Sequence, residues 1–72
     1  MKYDDFKDMI GKRVIVTTQG GKKYSGLFTN TESEFDTASG EEEIEIEART
    51  ASGNPYYIGI EFSNVSKIEL ES

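Results

Sequence analysis

The chain of 72 residues contains no cysteine, no histidine and no tryptophan, and it has a single proline. Without cysteine there can be no disulfide staple, and without cysteine or histidine the usual tetrahedral zinc site cannot be built. The same two absences exclude a cysteine nucleophile, a histidine base and any Ser-His-Asp arrangement. No apolar run approaches the roughly 18 residues that cross a bilayer, and the chain opens on no charged-then-apolar leader. The expectation is a soluble, cytoplasmic protein with no membrane partner, no metal and no cofactor. A chain of this size accommodates one domain, spanning residues 1–72. It buries only about 60% of its unfolded surface, so it is marginal alone and gains from a partner subunit.

Basic residues are scarce and unevenly placed. The whole chain carries eight Lys/Arg against fourteen Asp/Glu, a formal charge of −6. Residues 1–26 hold six basic residues against three acidic ones, whereas residues 27–72 hold two against eleven. Such a balance gains little from non-specific phosphate attraction and argues against coating duplex DNA. A basic face in the N-terminal third can still meet an anionic partner, although such charges ordinarily serve only solubility.

A helix signal occurs once, over residues 3–10. Tyr3, Phe6, Met9 and Ile10 share one helical face, Asp4 or Asp5 suits its N-terminus, and Gly11 suits a left-handed stop. Two helical turns are unstable in isolation, so this segment is expected to lie on the open end of a sheet through Phe6 and Ile10. From Lys12 the apolar period changes to two. Arg13 to Thr18 is rich in β-branched residues, and Gly20-Gly21 marks a tight hairpin. The return strand, Lys22 to Asn30, carries an interior glycine, Gly26, which marks a sharp bend or a close backbone crossing. A polar stretch from Thr31 to Gly40 surrounds one large apolar residue, Phe35.

The next run alternates cleanly, with Ile44, Ile46 and Ala48 on one side and Glu43, Glu45, Glu47 and Arg49 on the other. Turn residues Ala51 to Pro55 follow. Tyr56, Ile58, Ile60 and Phe62 repeat the two-residue period, and Val65 to Leu70 forms a last short strand. A short helix followed by five short strands, joined as a meander, indicates a mostly β protein. The fold expected is a bent five-stranded antiparallel SH3-like open barrel over residues 12–70, rather than the Greek key of an OB-fold.

This pattern resembles the Sm/LSm family over nearly the whole chain, from the helix to Leu70. The most specific part is Val14-x-Val16 followed by Gly21-Lys22-Lys23-Tyr24-Ser25-Gly26-Leu27-Phe28. It is similar to that family's first motif, and Ile60 to Ile68 is similar to its second. The resemblance implies an Sm-like fold and a cyclic homo-oligomer of roughly five to seven subunits, in which the fourth strand of one copy pairs with the fifth of the next. Tyr56, Tyr57, Ile58, Ile60, Val65 and Ile68 are the candidate interface residues. Such pairing would cover the strand edges that an open barrel leaves exposed.

The resemblance also implies single-stranded RNA binding through loops at the ring pore, with Phe35, Asp36, Ser63 and Asn64 as candidates and Glu32 at the place of the family's acid. Phe35 stands at the base-stacking position, where an aromatic ring is worth about 1–3 kcal/mol per base. Two departures weaken this reading. Asp36 replaces an asparagine, which removes two donors and adds charge. Glu61-Phe62 replaces an Arg-Gly pair, which removes a planar cation. The alternative is a homo-oligomeric protein-binding scaffold of SH3-like fold, whose acidic strand (Glu43, Glu45, Glu47) meets a basic partner. A solvated strand face is the plainer account of those three residues.

Catalysis is not expected. A chain this small forms no deep cleft to tune paired carboxylates, and Gly20-Gly21-Lys22 has neither the spacing nor the following helix of a phosphate-binding loop. Carboxylates two apart on one strand point in parallel and do not converge on a cation.

Overall fold

The computed structural model describes residues 3–35, 37 and 39–71. Its strands are β1 (Arg13–Thr18), β2 (Lys23–Glu32), β3 (Glu43–Arg49), β4 (Pro55–Glu61) and β5 (Val65–Leu70). All pairings are antiparallel, within one sheet of order β4-β3-β2-β1-β5. The protein is therefore mostly β, as its two-residue periodicity implies.

The expected N-terminal helix over residues 3–10 is replaced by two 3₁₀ turns, Tyr3–Asp5 and Lys7–Met9. The break falls at Phe6, whose backbone angles of φ −140° and ψ 7° are not helical. Its ring is only 1% exposed and packs edge-on against Phe62, with centroids 4.9 Å apart, while Phe28 lies 6.1 Å away. Seating that ring in the core outweighs the continuity of a helix too short to hold itself. Gly11 does end the segment, at φ 90°, and its N–H donates to the Phe28 carbonyl at 2.7 Å.

β1 and β2 are joined through Gln19, Gly20, Gly21 and Lys22, of which only Gly21 takes a positive φ. The Thr18 N–H closes this loop on the Lys22 carbonyl at 2.8 Å. β2 is the longest strand because it serves two neighbours. Its first half, Lys23 to Leu27, pairs with β1, and its second half, Leu27 to Glu32, pairs with β3. The change of partner coincides with Gly26 and with a register shift between Phe28 and Asn30. A Cβ at Gly26 would come within 2.5 Å of both the Glu47 carbonyl oxygen and Ile46 Cγ2. Gly26 is thus the close backbone crossing that its place in a strand suggests.

Every strand contributes to the core: Val14 and Val16 from β1, Phe28 from β2, Ile44 and Ile46 from β3, Ile60 from β4, and Val65 and Ile68 from β5. No described helix is long enough to cover that face, and Phe6 and Phe62, from 3₁₀ turns and their flanks, complete the core. β4 and β5, at the two ends of the strand order, each have one strand neighbour.

Gly26→Ala is expected to cost about 1–3 kcal/mol in denaturant unfolding, because backbone and a fully buried side chain occupy the space of the new methyl. Gly59→Ala, where the nearest atom is the flexible end of Glu43, is expected to change stability by about 0.5 kcal/mol or less at the same protein concentration. Equal losses at the two positions would contradict the crossing.

Candidate functional site

Two features of the surface are open to contact: the unpaired sheet edges, and the end of the molecule where the β2–β3 loop meets the β4–β5 turn. That turn, Phe62–Asn64, is 3₁₀ and is fixed at both ends. The Phe62 N–H donates to the Glu42 carbonyl at 2.9 Å, and the Gln19 N–H donates to the Asn64 carbonyl at 2.9 Å. The Ser63 hydroxyl reaches Glu41 Oε1 at 3.3 Å, so loop and turn form one surface. Within the loop, the Thr37 hydroxyl donates to the Glu41 carbonyl at 2.7 Å and the Ser39 hydroxyl to Glu43 Oε2 at 3.0 Å.

The candidate nucleic-acid residues fall on this end. Ser63 and Asn64 are exposed on the turn, and Phe35 is 88% exposed on the loop. Asp36 lies outside the described residues. The electrostatic setting is acidic. A cleft between loop and turn is lined by Glu34, Glu41 and Glu42 together with Gly40, Phe62 and Ser63, with no Lys or Arg among them.

Glu61 ends β4 beside this cleft, directly across the ladder from Glu43. A hydrogen bond with Glu41 raises the Glu61 pKa above its ordinary value near 4.5, and the negative charge of Glu41, a smaller desolvation and the charge of Glu43 push the same way. The remaining outward carboxylates of β3 have local partners. Glu45 accepts a hydrogen bond from Thr29 at 2.8 Å, and Glu47 accepts one from the Tyr57 hydroxyl at 3.4 Å and faces Arg49 at 3.6 Å. Among the described residues no group of three or more acidic side chains converges in a way that holds a metal ion.

The candidate interface residues divide into two groups. Ile60, Val65 and Ile68 are buried in the chain's own core, and Ile58 packs against it, so these positions offer an incoming strand mainly their backbone. Tyr56 and Tyr57 remain open, at 44% and 60% exposure. Leu70, at the end of β5, is 52% exposed and belongs with them, although the sequence reading did not single it out. Its signal is the apolar alternation Ile68, Leu70, which runs to the end of the strand opposite Val14.

The cations of the N-terminal half lie elsewhere on the surface. Arg13 pairs with Glu71 at 3.5 Å, and the Lys22 ammonium sits 5.2 Å from the centre of the Tyr24 ring. Lys23 and Lys67 flank Thr17 from the strands on either side of it. No helix among the described residues is long and apolar enough to cross a membrane. Comparison with protein-family models, with curated proteins and with solved structures returned no match to this chain.

The raised pKa of Glu61 makes a signed prediction. A carboxyl that titrates higher in the folded state costs stability when ionised, and that cost is present above its folded pKa. It vanishes as the pH falls through that pKa towards 4.5. Glu61→Gln should therefore melt higher than the parent protein at pH 8, with the gap closing on acidification. A thermal-melt series in which the gap widens at low pH would contradict the account.

Proposed function

We propose that this chain is a ring-forming, non-catalytic binding module of Sm-like type: an open SH3-like barrel that closes its two strand edges by pairing β4 of one copy with β5 of the next. The observation that carries this reading is the strand order β4-β3-β2-β1-β5, which leaves one unpaired edge at each end of a single sheet. Exposed strand edges invite pairing, and edges that are different from one another join head to tail and close into a cyclic oligomer. Aromatic and aliphatic surface left open beside those edges, at Tyr56, Tyr57 and Leu70, supports the same reading.

The ring acts as a cytoplasmic scaffold, and its loop end takes a basic protein segment. Carboxylates of Glu34, Glu41, Glu42 and Glu61 crowd that end and would be repeated in every subunit, a field that repels phosphate and attracts cationic side chains. The exposure of Phe35 favours a second reading, single-stranded RNA stacked on its ring beside Ser63 and Asn64.

Size-exclusion chromatography with light scattering is expected to give a closed oligomer, and a monomer at all concentrations would refute the ring. In fluorescence anisotropy at low salt, a lysine-rich peptide is expected to bind, whereas U-rich and A-rich oligoribonucleotides are not. Saturable RNA binding that Phe35→Ala weakens by roughly fivefold or more would replace the scaffold by the RNA reading.

A further inference from the structure

We propose that the free edge of β4 receives β5 of a second copy of this chain in one antiparallel register, with Tyr56 facing Leu70, Tyr57 facing Glu69, and Gly59 facing Lys67. This inference rests on the self-assembly proposed above and adds what selects the partner strand and fixes its position. Two constraints lead to this register. A slip of one residue would turn the apolar side of β5 towards solvent, so Ile68 and Leu70 must stay on the same face as Ile58 and Tyr56. Of the registers that keep the faces, only this one sets all six residues of β5 against residues of β4. Pro55, which has no N–H to give, then falls beyond the end of the partner strand.

The charges agree with the register. Gly59 has no side chain, and the Glu43 carboxylate lies over the vacant place: its Oε1 would be 2.5 Å from a Cβ there. Glu61, two residues further along β4, is crowded by Glu41 and Glu43. The position opposite Gly59 is thus bordered by two carboxylates on an open edge. In the incoming strand that position is Lys67, whose side chain is 61% exposed and lies 3.5 Å from the Glu69 carboxylate of its own strand. The partner's ammonium relieves a repulsion that the isolated subunit carries, so the seam selects a lysine and rejects an acid there. At the other end of the strand, the exposed rings and side chains of Tyr56 and Leu70 cover one another.

Because the protein has no cysteine, engineered pairs report the register directly. Facing residues of antiparallel strands lie within disulfide reach, whereas positions displaced by two do not. Chains carrying Tyr57→Cys with Glu69→Cys are expected to form a ladder of covalent multimers on oxidation. Tyr57→Cys with Lys67→Cys, or with Glu71→Cys, should form none. Lys67→Glu is expected to weaken assembly roughly tenfold or more, and adding Glu43→Lys to it should restore assembly.

A ladder from either displaced pair overturns the register, as does an assembled protein that gives no ladder at all. Unchanged assembly of Lys67→Glu overturns the charge selection. A parent chain that stays monomeric at every concentration, with β4 amides protected only when a foreign peptide is added, overturns this inference and the ring together.

Discussion

One sheet here supplies nearly all of its own core, and everything else is fitted to that constraint. No helix among the described residues is large enough to cover an apolar face, and β2 changes partners midway, with the side chains of Val14, Phe28, Ile44 and Ile46 fully buried. That change depends on the absence of a single Cβ, at Gly26, where the backbone of β3 and the side chain of Ile46 come too close for any other residue. The two other large fillers, Phe6 and Phe62, come from 3₁₀ segments at the chain's start and between β4 and β5. Both are short pieces shaped by the hole they fill rather than by their own propensity.

A single sheet whose end strands are not paired to each other buries its apolar face and leaves a pairing problem. β4 and β5 keep unpaired backbone on their outer sides, and the usual protections are sparse on them: one proline at the start of β4, one lysine in β5. Ile58, Ile60, Val65 and Ile68 are already committed to the core, so these edges offer mainly their main-chain hydrogen-bonding groups. The side chains that stay outside include Tyr56, Tyr57, Lys67 and Leu70. Main-chain bonds supply affinity and side chains supply register, the division of labour seen wherever a strand is added to a sheet edge.

The strands were legible in the sequence because their signals are local. β-branched density marks β1, strict alternation marks β3, and an interior glycine marks the crossing in β2. The N-terminal segment misled for an equally local reason. Tyr3, Phe6 and Met9 are spaced by three, which fits a 3₁₀ repeat as well as one face of an α-helix, and only the burial of Phe6 decides between them. At the loop end Phe35, Ser63 and Asn64 were legible as exposed residues, but their neighbours were not. That Ser63 meets Glu41 and that Glu61 stands across from Glu43 depends on residues some twenty positions apart being brought together by the β3–β4 register, which no local pattern encodes. Leu70 was overlooked because an alternating apolar residue reads as core, and only its place as the last residue of β5 leaves it half exposed.

The placement of the acidic residues follows from the same geometry. Like charges directly across a ladder are unfavourable, and here Glu43 stands against Glu61 with Glu41 beside them. Outward carboxylates further along β3 are answered within the chain, Glu45 by Thr29 and Glu47 by Tyr57 and Arg49. Glu43 and Glu41 accept from Ser39 and Ser63, yet they and Glu61 still crowd one another where the β4 edge and the loop end come together. The repulsion is local and electrostatic, so any cationic group brought to that corner would relieve it. The acidity of this protein is thus of two kinds: carboxylates spread along β3 that are held by Thr29, Tyr57 and Arg49, and at one corner a group of three that crowd one another.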